Sequence, residues 1–302
     1  MNILQLTFHT SPFNEVGKND GGGMSIYVQQ ISKHLSDNHN ITVVTGEKAE
    51  SFKDNNLEFI SLNIFESNLN VEDKEVYLQE FKNKLAESLD LKSFDVIHAH
   101  YWLSGLIAKE LSNEFDIPFV FTSHSLGVFL DGYNKERVDC EKIVMTSANL
   151  VTASSEFENM LICETYNVDE NKIKKIIPGV DKKIFSPDSS VEKENIFLSI
   201  GRIQEQKGQL KTLEFLNSFR KIENNFKCYF DRKYSFLLFF IQASGYANSN
   251  SFTSPSCFNM GGAGSLSLSA NTQIKNPAVF NHSRGLTTSI VKYPALINSQ
   301  SV

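Results

Sequence analysis

Short apolar runs of strand length recur along the first 180 residues, and polar stretches with helical spacing separate them. The predicted strands are Ile3–Phe8, Ile41–Thr45, Leu57–Leu62, Phe94–His98, Ile117–Thr122, Leu150–Ala153 and Lys174–Ile177. Between the first two, Met24, Val28, Ile31 and Leu35 share one helical face while Gln29, Ser32 and Lys33 point elsewhere. A further helix is expected from about Lys74 to Leu89. Such alternation of strand and helix implies an α/β fold with a parallel sheet covered on both faces. The polar segment "SPDSSVEKEN", Ser186 to Asn195, reads as a linker. The pattern then restarts with "NIFLSIGRI" as strand, "GQLKTLEFLNSF" as helix and "FKCYF" as strand.

The pattern fails near residue 233. All 35 acidic residues and 26 of the 29 Lys and Arg precede that point, whereas residues 234–302 hold three basic residues and no acidic one. Ser, Asn and Thr dominate this tail, and no helix or strand pattern of useful length continues through it. A folded α/β surface carries both signs of charge, so the tail is expected to be disordered or foreign to the fold. A change of reading frame or gene junction near Lys233 accounts for it better than a polar linker, because "FLLFF" is a poor start for one.

The remaining composition narrows the class. A chain of 302 residues with 41% hydrophobic content is long enough for two packed domains. The formal net charge of −6 argues against a nucleic-acid partner. Cys140, Cys163, Cys228 and Cys257 lie far apart, which suits reduced thiols and a cytoplasmic protein. No signal peptide is expected at the N-terminus. The longest apolar run, "FLLFFI", is too short for a transmembrane segment.

The candidate chemistry gathers at strand ends. Gly21, Gly22 and Gly23 precede the helix at Met24, where unpaired N–H groups could meet an anion. The spacing is not that of a dinucleotide fingerprint, and a flexible turn is the plainer reading. In open α/β sheets, however, ligands bind beyond the carboxyl ends of the strands. The segments "FHTSP", "HAHYWLSG" and "TSHSLG" lie there and bring His9, His98, His100, Trp102 and His124 to the same rim. His98 and His100 share one face of an extended strand, which raises zinc; no cysteine or carboxylate accompanies them, so no metal is expected.

Five motifs in order, "GGGMSIYVQQISKHL", "FDVIHAHYWLSG", "TSHSLG", "IIPGVDKKIFSP" and "SIGRIQEQKG", carry a family resemblance. Over about residues 1–232 the chain resembles retaining glycosyltransferases of the GT-B fold. The group concerned is glycosyltransferase family 4, with sucrose-phosphate synthase and the mycothiol-pathway enzymes. The resemblance implies two Rossmann-like domains, the first on the acceptor side and the second holding the nucleotide-sugar. The expected divisions are 1–190 for the complete N-terminal domain, 191–233 for an incomplete start of the second, and 234–302 for the atypical tail. It implies that Gly22 and Gly23 lie against the donor diphosphate. His124 would bond the donor sugar, and Arg202 and Lys207 would clamp the diphosphate as it leaves. His9, His98, His100 and Trp102 would border the acceptor cleft. The expected substrates are a nucleotide-sugar, most simply a UDP-sugar, and a hydroxyl acceptor, with no permanently bound cofactor.

The family pattern continues with an acidic motif whose two glutamates hold the sugar and ribose, and no acidic residue follows Asp231 here. Sugar transfer is therefore expected to be impaired. The alternative is a non-catalytic remnant, or a phosphate- or nucleotide-binding α/β protein.

Overall fold

The computed structural model describes residues 1–14, 22–129, 134–183, 185–187, 190, 194–201, 205–231, 238–243, 266–269 and 290–291. The chain divides into two compact units, Met1–Asp181 and Lys182–Val302.

In the first unit the strands are β1 (Asn2–Leu6), β2 (Asn40–Glu47), β3 (Phe52–Asp54), β4 (Leu57–Phe65), β5 (Val96–His100), β6 (Phe119–Thr122), β7 (Leu150–Ala153) and β8 (Ile173–Lys175). They form one sheet in the order β3-β4-β2-β1-β5-β6-β7-β8. All neighbours run parallel except β3, which pairs antiparallel with β4. The helices are α1 (Gly23–Leu35), α2 (Val71–Lys74), α3 (Leu78–Ser88), α4 (Trp102–Phe115), α5 (Lys135–Ser147) and α6 (Glu156–Tyr166). The α/β architecture expected from the periodicity is the one observed. The single helix expected from Lys74 to Leu89 is instead broken, with a 3-10 turn at Glu75–Tyr77 between α2 and α3.

Alternation along β1 shows why both faces need helices. Ile3 joins Val28 of α1 with Ile41, Val43, Leu57 and Phe59 on one face. Leu4 and Leu6 join Phe81, Leu85, Leu103 and Ile107 of α3 and α4 on the other. Successive side chains of a strand point to opposite faces, so a strand apolar at both positions must be covered twice. Gln5 is the polar exception: its Oε1 accepts from Ser32 Oγ of α1 at 3.0 Å, while its Nε2 is buried without a hydrogen-bond partner. Local stops agree with these limits: Asp116 and Asn167 end α4 and α6 in left-handed backbone. The side chains of Asn134 and Ser155 cap α5 and α6.

From β1 the chain passes through α1 to β2 on one side, and β5 later returns to the other side of β1. This reversal leaves a crevice above the carboxyl ends of β1 and β5, where open α/β sheets place their ligands.

The second unit contains β9 (Ile196–Ile200), α7 (Gln209–Phe219) and β10 (Lys227–Asp231), a parallel strand–helix–strand unit. The strands β11 (Leu238–Ala243), β12 (Leu266–Ser269) and β13 (Ile290–Val291) continue this sheet antiparallel. Their sequence lies in the segment where no strand pattern was expected. The apolar run beginning at Phe236 supplies most of β11, and its neighbours supply the edges it needs. The rest of the 234–302 tail lies outside the described residues.

Candidate functional site

Four histidines converge at the crevice. The pairing of β5 with β6 sets His100 beside Thr122, and the turn after β6 brings back His124, whose φ is +58°. His100 Nδ1 and His124 Nε2 are 3.0 Å apart. His98 lies on the same face of β5, its ring centroid 4.0 Å from that of His100, and its Nε2 meets Thr122 Oγ1 at 2.9 Å. Thr122 Oγ1 continues to Thr152 Oγ1 at 2.7 Å. Tyr27 of α1 sets its ring edge-on to His124, centroids 5.2 Å apart. His9, on the turn after β1, packs its ring 4.3 Å from that of Tyr101.

Burial determines the charge of this group. His98 and His9 are held down at about 3 and His124 at about 4, each chiefly by desolvation. For His9, Lys74, His124 and Arg137 add to the effect. His100 is fully buried and is lowered well below the ordinary histidine value, first by burial and then by His98 and His124. All four are neutral at pH 7. Among the described residues no cluster of three or more His, Cys, Asp or Glu side chains is arranged to hold a metal ion.

Two buried cations lie close to His9 and Tyr101, and sequence reasoning missed both. Lys74 is completely buried, with its Nζ donating to His9 O at 2.8 Å. Arg137 is buried and stacks its guanidinium 4.9 Å from the centre of the Tyr101 ring. Arg137 Nε donates to Glu141 Oε1 at 2.8 Å, and its Nη2 donates to Ser125 O and Oγ. Glu141, also completely buried, accepts from Gly127 N and from Tyr166 Oη. Ser123 Oγ donates to Glu158 Oε1 at 2.7 Å. The turn that carries His124 is thus pinned on both sides, at Ser123 by α6 and at Ser125 and Gly127 by α5. Removing either member of the buried Arg137–Glu141 pair would leave its partner uncompensated in the interior.

The other sequence-derived candidates fall as follows. Trp102 opens α4 and packs into the main core cluster. Gly22 is the N-cap of α1 and Gly23 its first residue. A Cβ placed on Gly23 would meet nothing within 4 Å, and its φ is not in the left-handed region, so packing within the unit does not account for this glycine. Gly21 and Arg202 lie outside the described residues. Lys207 ends the 3-10 turn Glu205–Lys207 of the second unit and is exposed.

Known proteins resemble this chain in sequence and in fold. The D-inositol 3-phosphate glycosyltransferase of Frankia alni is 29% identical over 227 residues, covering 65% of this chain and 55% of its own length. The enzyme of that name from Thermobifida fusca is 27% identical over 233 residues, covering 68% of this chain and 54% of its own. The chain therefore spans about half the length of the curated relatives it matches. Sucrose-phosphate synthase from Thermosynechococcus elongatus has the same fold, with a TM-score of 0.61 at 18% identity over 76% of this chain and 70% of that one. Residues 21–183, more than half of the chain, match Glycosyltransferase Family 4, and the chain belongs to that family.

Proposed function

We propose that this chain binds a phosphorylated hydroxyl acceptor in the first unit and takes part in retaining sugar transfer from a nucleotide-sugar, a UDP-sugar being the expected donor. The observation that carries the reading is the convergence of Lys74 and Arg137 on His9 and Tyr101 at the crevice. Two buried cations beside neutral rings suit a compact anion attached to a neutral, hydroxylated body. The relatives' names state an inositol phosphate, which fits that description.

On the donor side, breaking a glycosyl–phosphate bond builds negative charge on the leaving oxygen. The N–H groups of Gly22 and Gly23 at the start of α1 would meet a phosphate group. In the second unit, Arg202 and Lys207 are the cations to which the family resemblance gives a diphosphate-holding role. His124, neutral at pH 7, would hydrogen-bond the donor sugar rather than add charge beside an oxocarbenium-like centre. The −6 net charge supports a small-molecule site over nucleic acid. A cytoplasmic setting belongs to the same reading, and it is supported by free Cys140, Cys163 and Cys228. Among the described residues no helix is long and apolar enough to cross a membrane.

The absence of any acidic residue after Asp231 favours a companion reading, in which the acceptor site is intact and transfer by this chain alone is slow. Calorimetric titration with D-inositol 3-phosphate and with unphosphorylated inositol tests the acceptor site. Binding of the phosphate ester alone is expected, weakened about tenfold or more in Arg137→Lys, because a planar guanidinium is not replaced by an ammonium. Equal binding of both compounds, or of neither, would remove the reading. Nucleotide release from a UDP-sugar that depends on the added ester would separate transfer from binding alone.

A further inference from the structure

The His100–His124 contact sets a choice of protons that has a consequence for the ligand. Both imidazoles are neutral, so one nitrogen of each ring carries hydrogen and the other a lone pair. In one arrangement His124 Nε2–H donates to His100 Nδ1. His100 must then carry its proton on Nε2, an atom that is buried and has no hydrogen-bond partner. In the other, His100 Nδ1–H donates to His124 Nε2, and only a lone pair is left buried at His100 Nε2. Orphaned buried N–H groups are rarer in proteins than under-used acceptors.

We infer that His100 is a positioning residue that fixes His124 in its Nδ1–H form, so that His124 offers a bound ligand a hydrogen-bond donor and not a base. The surroundings hold the pair in place. The His98 ring packs at a tilt against His100, Tyr27 lies edge-on to both His100 and His124, and the turn at His124 is tied to α5 and α6 through Ser123, Ser125 and Gly127. His100 takes up His124 Nε2, so Nδ1 is the ring nitrogen left for a ligand on a side chain that is only half-buried. A donor at that position selects an oxygen with a free lone pair, such as a sugar hydroxyl or a phosphate oxygen. It also leaves deprotonation of the acceptor hydroxyl to some other group. The consequence for the ligand rests on the transferase reading given above; the tautomer itself does not.

Nitrogen-15 NMR of the full chain, ligand-free and labelled at histidine, reads the tautomer directly at pH 7. The His124 signals are identified by their loss in His124→Gln. The expected result is Nδ1–H in at least about tenfold excess, against the free side chain's preference for Nε2–H. His100→Asn, whose amide can still donate, should keep that form, and His100→Leu should let it revert. His124 found mainly as Nε2–H in the wild type overturns the inference on its own, whether or not the variants fold. So does a folded His100→Leu protein that retains Nδ1–H. Because no ligand is present, absent sugar transfer would remove the functional reading and leave this result standing.

Discussion

The units that open the two parts of the chain, β1–α1–β2 and β9–α7–β10, share an order of elements and a parallel pairing but not an environment. β1 has β2 on one edge and β5 on the other, and Leu4 and Leu6 are completely buried. β9 has β10 on one edge, and no described strand pairs with the other. Phe197 of β9 meets Phe215, Phe219 and Phe226 on the face covered by α7. On the opposite face Leu198 and Ile200 are 55% and 57% exposed. The two strands have similar apolar sequences, "ILQL" and "IFLSI". Local pattern specifies a strand, whereas burial depends on what the rest of the chain brings to its second edge and second face.

The largest expected effect that sharpens this contrast is that of acid. His9, His98 and His124 are held below the ordinary histidine value, so they stay neutral in the fold but charge in the unfolded chain as pH drops below about 6.5. Their contribution is fully present above that value and is lost progressively as pH falls toward about 3 to 4. Between pH 7 and 5 the first unit should lose on the order of 5 kcal/mol. Urea unfolding followed by the fluorescence of Trp102, the single tryptophan, reads that unit alone. The described residues of the second unit contain no histidine, and amide exchange in β10 should not share the loss. Equal acid sensitivity in both would break the comparison.

Next in size is core truncation. Phe8 is completely buried, with edge-on contacts to Phe65 and Phe81 at 5.2 and 5.1 Å. Phe8→Ala should cost about 3–5 kcal/mol in the same unfolding measurement. The smallest effect is expected at the matching experiment in the second unit. Leu198→Ala should change stability by no more than about 0.5 kcal/mol, because that side chain is already in water. Hydrogen exchange of the β10 amides measures it, and a loss of 2 kcal/mol or more would mean that β9 is covered in solution.

Most strands of the first unit were legible because they are apolar runs bounded by polar residues, and Leu150–Ala153 is found as expected. β3 was missed because all three of its residues are exposed, so they leave no alternation to read. The helix at Lys74 breaks where that lysine turns its ammonium inward to His9, a tertiary contact that spacing does not encode. The histidines were legible as residues near the carboxyl ends of strands, although His98 and His100 lie within β5, which runs two residues further than expected, and only His9 and His124 lie beyond a strand. Their pairing was not, because it depends on the register that sets His100 beside Thr122. Arg137 and Glu141, four apart on a helix, have the form of a solvated surface pair. The available signal was that Val138, Val144 and Met145 occupy the same buried stripe.

Tyr101 has φ +75° and His124 φ +58°, a backbone region in which residues other than glycine are strained by about 1–3 kcal/mol. At Tyr101 the strain is outweighed by burial, because the ring belongs to the main core cluster and its removal would leave a cavity. At half-buried His124 glycine would relax the turn and delete a ring that borders the crevice. Endurance and recognition therefore ask for different residues at that one codon, and variants selected only for heat resistance should change there and lose binding at the rim.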